Sequence, residues 1–197
     1  MANAIKHPIC YIVAGPNGAG KTTFSLKYLP EIARCDNFIN ADEIARGISP
    51  LNIEAGQLPA SKIFLQTLKE KLKQRKTFAF ETTLSGRTYA ARIPRWQESG
   101  WKVILIYLYI PSADFSAMRV RQRVEQGGHD IPAEDIIRRY PRSIRNLFLY
   151  AEICDQTFCF DNKRGRVNPI FEKAKGKPAE IINYETYSKI LETIGHE

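Results

Sequence analysis

Hydrophobic positions along this chain follow two periods, and the periods alternate. Residues 9–14 form a short apolar run rich in β-branched and aromatic side chains, as a buried strand requires. Residues 22–29 then read as a short helix with Pro30 at its end. A second strand spans 37–41 and ends at Asp42. Residues 54–74 follow as a long helix, with Ile63, Phe64, Leu68 and Leu72 at helical spacing. A third strand, 77–80, ends at Glu81. Residues 87–99 read as a helix stopped by Gly100 and interrupted near Pro94. The run at 103–110 is the strongest strand; its continuous apolar character places it in the middle of a parallel sheet, buried on both faces. Helices at 112–126 and 133–151 flank a Gly127-Gly128 break, and 154–160 supply a fifth strand. A basic loop, a short hairpin (167–171 with 181–183) and a terminal helix (184–194) complete the pattern.

Strands alternating with helices predict an α/β fold: one three-layer domain over 1–197, with a five-stranded parallel sheet and right-handed crossovers. A lid is expected at about 119–140 and a C-terminal hairpin and helix extension at about 163–197. The length of 197 residues suits one domain. Hydrophobic content of 44 % and charged content of 25 % are ordinary for a globule. No apolar run approaches the ~20 residues of a membrane span, and the first eight residues lack the apolar core of a secretory signal. Cytoplasmic residence with no membrane partner is the expectation. Of Cys10, Cys35, Cys154 and Cys159, no two form a C-x-x-C pair; Cys10 and Cys159 read as small buried hydrophobes. Net charge of +8 suits polyanionic ligands (ATP, a nucleotide sugar, nucleic acid) without choosing among them.

The chemistry concentrates after the strands. Gly15-Pro16-Asn17-Gly18-Ala19-Gly20-Lys21-Thr22, followed by Thr23, matches the G-x-x-x-x-G-K-[ST] phosphate loop between a strand and a helix start. Its glycines let backbone N–H groups converge on phosphate oxygens, at the positive end of a helix dipole. Lys21 is expected on the β/γ-phosphates of ATP or GTP, and the Thr22 hydroxyl on Mg²⁺. Ligands of such sheets bind at the carboxyl ends of the strands, so Asp42 and Glu81 face the γ-phosphate. Asp42 either takes or orients an acceptor hydroxyl proton, or caps a helix. Glu81 either holds Mg²⁺ through water, binds the acceptor, or has no role. Thr83 and Arg87 are weaker candidates on the same edge. Arg119 and Arg123 lie four apart on one helical face and would neutralise γ-phosphate charge from a lid hinged at Gly127-Gly128. His129 is a candidate for phosphate or acceptor contact. On the next helix, Arg138, Arg142 and Arg145 read as a solvated face opposite Ile137, Tyr140, Ile144 and Leu147.

With these residues in view, the chain resembles the zeta toxin family of P-loop kinases in its short stand-alone form. The resemblance rests on residues 15–23, Asn40-Ala41-Asp42-Glu43-Ile44, Phe80-Glu81-Thr82-Thr83-Leu84-Ser85-Gly86, residues 119–132, Arg138-Arg139-Tyr140 and Phe160-Asp161-Asn162. It implies strand order 2-3-1-4-5 and ATP-dependent phosphorylation of a small-molecule hydroxyl, UDP-N-acetylglucosamine in the best-known members. It implies an antitoxin protein as partner. It makes Asp42 the base, Lys21 the phosphate-loop lysine, Glu81 and Thr83 acceptor ligands, and Arg123 a lid arginine. The family's second lid arginine is replaced around Gly128-His129. The rival readings are a polynucleotide or nucleoside kinase and a regulatory nucleotide-binding module. Nucleic acid is the less favoured partner, for want of interleaved aromatic and basic residues.

Overall fold

The apolar run around Leu105 is buried at nearly every position, and the sheet is built outward from it. The computed structural model describes residues 7–128, 130–163 and 165–195. These form β1 (Ile9–Ala14), α1 (Lys21–Glu31), β2 (Phe38–Ile39), α2 (Ala41–Ile48), α3 (Ile53–Gln74), β3 (Phe78–Thr82) and α4 (Ile93–Glu98). There follow β4 (Lys102–Tyr109), α5 (Ala113–Glu125), α6 (Ala133–Ile153), β5 (Gln156–Asp161), β6 (Asn168–Ala174), β7 (Glu180–Ile181) and α7 (Tyr184–Gly195).

Strands β1 to β5 are parallel wherever they pair. The hairpin does not stand apart as an extension. Strand β6 pairs antiparallel with β5, and β7 with β6. The sheet therefore has seven strands rather than five, in the order β2-β3-β1-β4-β5-β6-β7, which runs beyond the expected 2-3-1-4-5. The physical reason is the edge of β5, whose backbone N–H and C=O groups need partners that the hairpin supplies.

The two sheet faces are covered unequally. Cys10, Ile12, Phe78, Phe80, Val103, Leu105 and Tyr107 are fully buried on one face. There Phe64 of α3 meets Phe80 edge-on, and Ser143 of α6 shares a hydrogen bond with the Tyr107 hydroxyl at 2.8 Å. On the other face α1 brings Phe24, Tyr28 and Leu29 beside Tyr11, Ile106, Phe158 and Phe160, around an apolar groove of 490 Å³.

Local chemistry moves several boundaries. Strand β2 is cut to two residues because Asn40 leaves it to cap α2. Helix α4 starts only at Ile93, with Pro94 in its first turn, where a missing N–H costs nothing. Pro141 sits inside α6 without ending it, and α6 buries Ile136 while Ile137 stays exposed. All four cysteines are buried and free.

Candidate active site

The loop between β1 and α1 is shaped by close approach. A Cβ on Gly15 (φ 145°) would run into the Leu108 carbonyl. One on Gly18 (φ 72°) would come within 2.8 Å of Arg119 Cβ, so α5 can lie directly on the loop only because this residue is glycine. Two buried side chains hold the loop's carbonyls. Ser116 Oγ donates to Asn17 O at 2.6 Å, and Asn162 Nδ2 to Ala19 O at 2.8 Å. Lys21 lies folded inside it, 7 % exposed, with Nζ donating to Pro16 O at 2.9 Å.

Below Lys21 sits a second carboxylate-centred cluster. Glu81 Oε1 is 3.8 Å from Lys21 Nζ, and Glu81 Oε2 accepts from Thr22 Oγ1 at 2.8 Å and from Asn40 Nδ2 at 3.1 Å. Burial pushes the Glu81 carboxyl up and the Lys21 ammonium down, and each opposes the shift of the other through its charge. Thr22 and Glu81 are a donor set that would fit Mg²⁺ in a phosphate-loop site: one hydroxyl and one acid, side by side. Among the described residues no group of three or more carboxylate, histidine or cysteine side chains gathers to hold a metal by itself.

Asn40 also settles the reading of Asp42 as a helix cap. Its Oδ1 accepts from the backbone of Asp42 at 2.9 Å and of Glu43 at 3.4 Å. Asn40 is therefore the cap, and Asp42 sits in the first turn of α2 with its carboxylate toward the cleft. Across the cleft, Thr83 is held by α6: Ser143 Oγ donates to Thr83 O at 2.6 Å and Asn146 Nδ2 to Leu84 O at 2.8 Å. Leu84, in the left-handed region at φ 57°, is pinned there by burial.

Two hollows meet at this cluster. One, of 370 Å³, is lined by Gly18, Gly20, Lys21, Thr22, Thr23, Glu81, Arg119 and Arg123. The other, of 320 Å³, shares Gly18, Lys21, Glu81 and Arg123 and adds Asp42, Thr83 and Tyr89. The structure thus brings together Lys21, Thr22, Asp42, Glu81, Thr83, Arg119 and Arg123. It does not bring in Arg87, which is exposed and donates from Nε to Asn146 Oδ1 at 3.2 Å. His129 lies outside the described residues. The Gly127-Gly128 pair, expected as a hinge, closes α5 in a Schellman turn: Gly128 N donates to Arg123 O and Gly127 N to Val124 O, both at 2.9 Å. Sequence reasoning assigned no role to Asn40, Ser116, Ser143, Asn146 or Asn162. All five are buried polar side chains. Two of them, Asn40 and Asn162, stood inside the segments that carry the family resemblance, the only signal available.

Comparison with known proteins bears on the family and the fold. The sequence profile of the zeta toxin family matches residues 2–149. An uncharacterised protein of Haemophilus influenzae is 34 % identical over 124 residues, 63 % of this chain and 86 % of its own length. Among solved structures, one from the PezAT chromosomal toxin–antitoxin system of Streptococcus pneumoniae superposes with a TM-score of 0.65 at 18 % identity. The match covers 99 % of this chain and 81 % of that one. The AvrRxo1-ORF1:-ORF2 structure with ATP gives a TM-score of 0.72 at 18 % identity, over 93 % of this chain and 63 % of that one. At such identities these structures share the fold, a kinase-like P-loop α/β architecture.

Proposed function

Because this chain belongs to the zeta toxin family, we propose that it is a Mg²⁺- and ATP-dependent phosphotransferase acting on a hydroxyl of a small molecule. One observation carries the reading. The Asp42 carboxylate makes no hydrogen bond among the described residues and lines the same hollow as Lys21, Glu81 and Arg123. A side chain that holds nothing in the fold, placed opposite the phosphate loop, is free to hold a substrate proton.

The residues then divide the work. The loop from Gly15 to Thr23 binds the nucleotide phosphates, with Lys21 turning from Pro16 O to the β/γ-phosphates. Thr22, and Glu81 through water, would hold Mg²⁺, which would supply charge neutralisation for the phosphates. Asp42 orients the acceptor hydroxyl and accepts its proton as the oxygen bonds to the γ-phosphorus and the bond to the β-phosphate oxygen breaks, releasing ADP. Arg123, and Arg119 beside it, stabilise charge on the transferred group. Thr83 borders the acceptor. From the family resemblance, UDP-N-acetylglucosamine is the first acceptor to assay and an antitoxin the protein partner to seek.

Coupled ADP release with Mg²⁺-ATP tests this reading on wild type and Asp42→Asn. We expect kcat to fall about 10²- to 10⁴-fold in the variant, with the KM for ATP little changed. Equal turnover in both proteins would remove Asp42 from the reaction and favour a regulatory nucleotide-binding module.

A further inference from the structure

Three consecutive peptide planes of the phosphate loop are each fixed by a different partner. In a trans peptide the carbonyl of one residue and the N–H of the next point opposite ways. The Asn17 carbonyl therefore sets the direction of Gly18 N–H, and the Ala19 carbonyl that of Gly20 N–H. The plane between them is held by the loop itself, through Ala19 N donating to Pro16 O at 3.2 Å. The outer planes are held from elsewhere in the fold, by Ser116 Oγ on Asn17 O and Asn162 Nδ2 on Ala19 O.

Those outer planes have the most freedom to turn. Each adjoins a glycine in the left-handed region, Gly18 at φ 72° and Gly20 at φ 81°, where no Cβ hinders rotation. The clamps have no such freedom. Ser116 is fully buried near the start of α5, its own N–H bonded to Ser112 O. Asn162 is buried directly after β5, its N–H bonded to Tyr109 O at the end of β4. The Asn162 amide oxygen is buried without a partner among the described residues, so only the donor half of this side chain is engaged. A Cβ on Gly20 would come within 2.8 Å of that donor. Gly18 and Gly20 line the 370 Å³ hollow, whereas Ser116 and Asn162 lie outside its walls.

Resting on the nucleotide-binding reading above, we infer that Ser116 and Asn162 are positioning residues for the nucleotide phosphates. By drawing two carbonyls away from the hollow, they turn Gly18 N–H and Gly20 N–H into it, as a nest of amides needs to hold an anion. Neither side chain touches the phosphates. Each acts through one peptide plane, and without its clamp that plane rotates and sets a carbonyl oxygen where an N–H is needed.

Amide NMR and calorimetry on the full chain test this, with inorganic pyrophosphate and Mg²⁺-ADP as probes. In the wild type both glycine N–H signals should move downfield as phosphate oxygens accept from them. Ser116→Ala should lose the Gly18 shift and keep most of the Gly20 shift; Asn162→Ala should do the reverse. Each variant should bind Mg²⁺-ADP about tenfold more weakly, the scale of one hydrogen bond to a charged group. Ser116→Thr, which keeps the hydroxyl, should regain the Gly18 shift. Unchanged affinity with both shifts intact would overturn the inference, as would a loss spread over the whole loop whichever clamp is removed, the pattern of a merely structural support. Wild-type glycine signals that ignore bound pyrophosphate would overturn it without any variant. A wild type that binds pyrophosphate with both shifts but not Mg²⁺-ADP would defeat the kinase reading alone, and one that binds neither would overturn both.

Discussion

Asn40 links three parts of the site with one amide. Its oxygen caps α2 and its nitrogen donates to both Glu81 and Thr22, so the turn that carries Asp42 is fixed to the residues below the phosphate loop. Asn40→Ala should lose about 1–2 kcal/mol through the cap alone, read by urea unfolding, and should lower kcat because Asp42 and Glu81 lose their common support. Asn40→Asp keeps the cap oxygen but sets a second carboxylate beside buried Glu81; recovered stability without recovered turnover would identify the amide nitrogen as the functional half. Glu81 sets the pH response. Burial raises its pKa, and the ionised form is the one suited to hold Mg²⁺. The rate kcat/KM should therefore rise with pH through a midpoint above the ordinary carboxylate range. It should fall again below the ordinary lysine value as Lys21, depressed by its own burial, loses its proton. Glu81→Gln should remove the acid limb. An acid limb that persists in that variant would assign it to another group.

At the scale of elements, the alternating period of the sequence located every β-strand of the parallel core and every long helix to within a few residues. Burial on both faces is written as a continuous apolar run in β4, and the phosphate loop is written in glycine. What the sequence did not disclose is non-local. Whether the hairpin at 168–181 stands free or joins the sheet depends on the open edge of β5, which no local pattern reports. The supports of the site, Ser116, Ser143, Asn146 and Asn162, act through hydrogen bonds to carbonyls distant in sequence, at spacings that carry no periodic signature. Gly127-Gly128 shows the ambiguity of glycine itself: freedom to hinge and freedom to adopt φ 79° in a helix stop look alike in sequence. Nor does a continuous run reveal that one sheet face is better covered than the other. That asymmetry is testable on neighbouring residues of β4. Leu105→Ala, on the fully buried face, should cost about 2–5 kcal/mol, and Ile106→Ala, on the half-covered face above α1, clearly less. Equal losses in denaturant unfolding would mean that the α1 face is closed in solution.

For the molecule as a whole, the charge of +8 leaves open which polyanion the chain serves, but its distribution and its linkage to stability can separate the candidates. A nucleotide enters a preformed loop that holds a buried ammonium, so its binding free energy adds directly to the folded state. At a hundredfold excess over Kd the gain is about 2.7 kcal/mol, which for a domain of this size raises Tm by roughly 5–10 °C. Lys21→Ala should abolish most of that rise with Mg²⁺-ATP, because the lysine lines the loop hollow, where on the proposed reading it meets the terminal phosphates. Nucleic acid would behave differently. Its affinity would draw on phosphate contacts along the surface, fall linearly on a logarithmic salt scale, and survive loss of one buried lysine. A Tm shift by Mg²⁺-ATP that is lost in Lys21→Ala and barely depends on added salt would place the ligand in the loop. A shift by single-stranded oligonucleotide that is steep in salt and indifferent to Lys21 would make the basic surface a nucleic-acid site and revive the polynucleotide kinase reading.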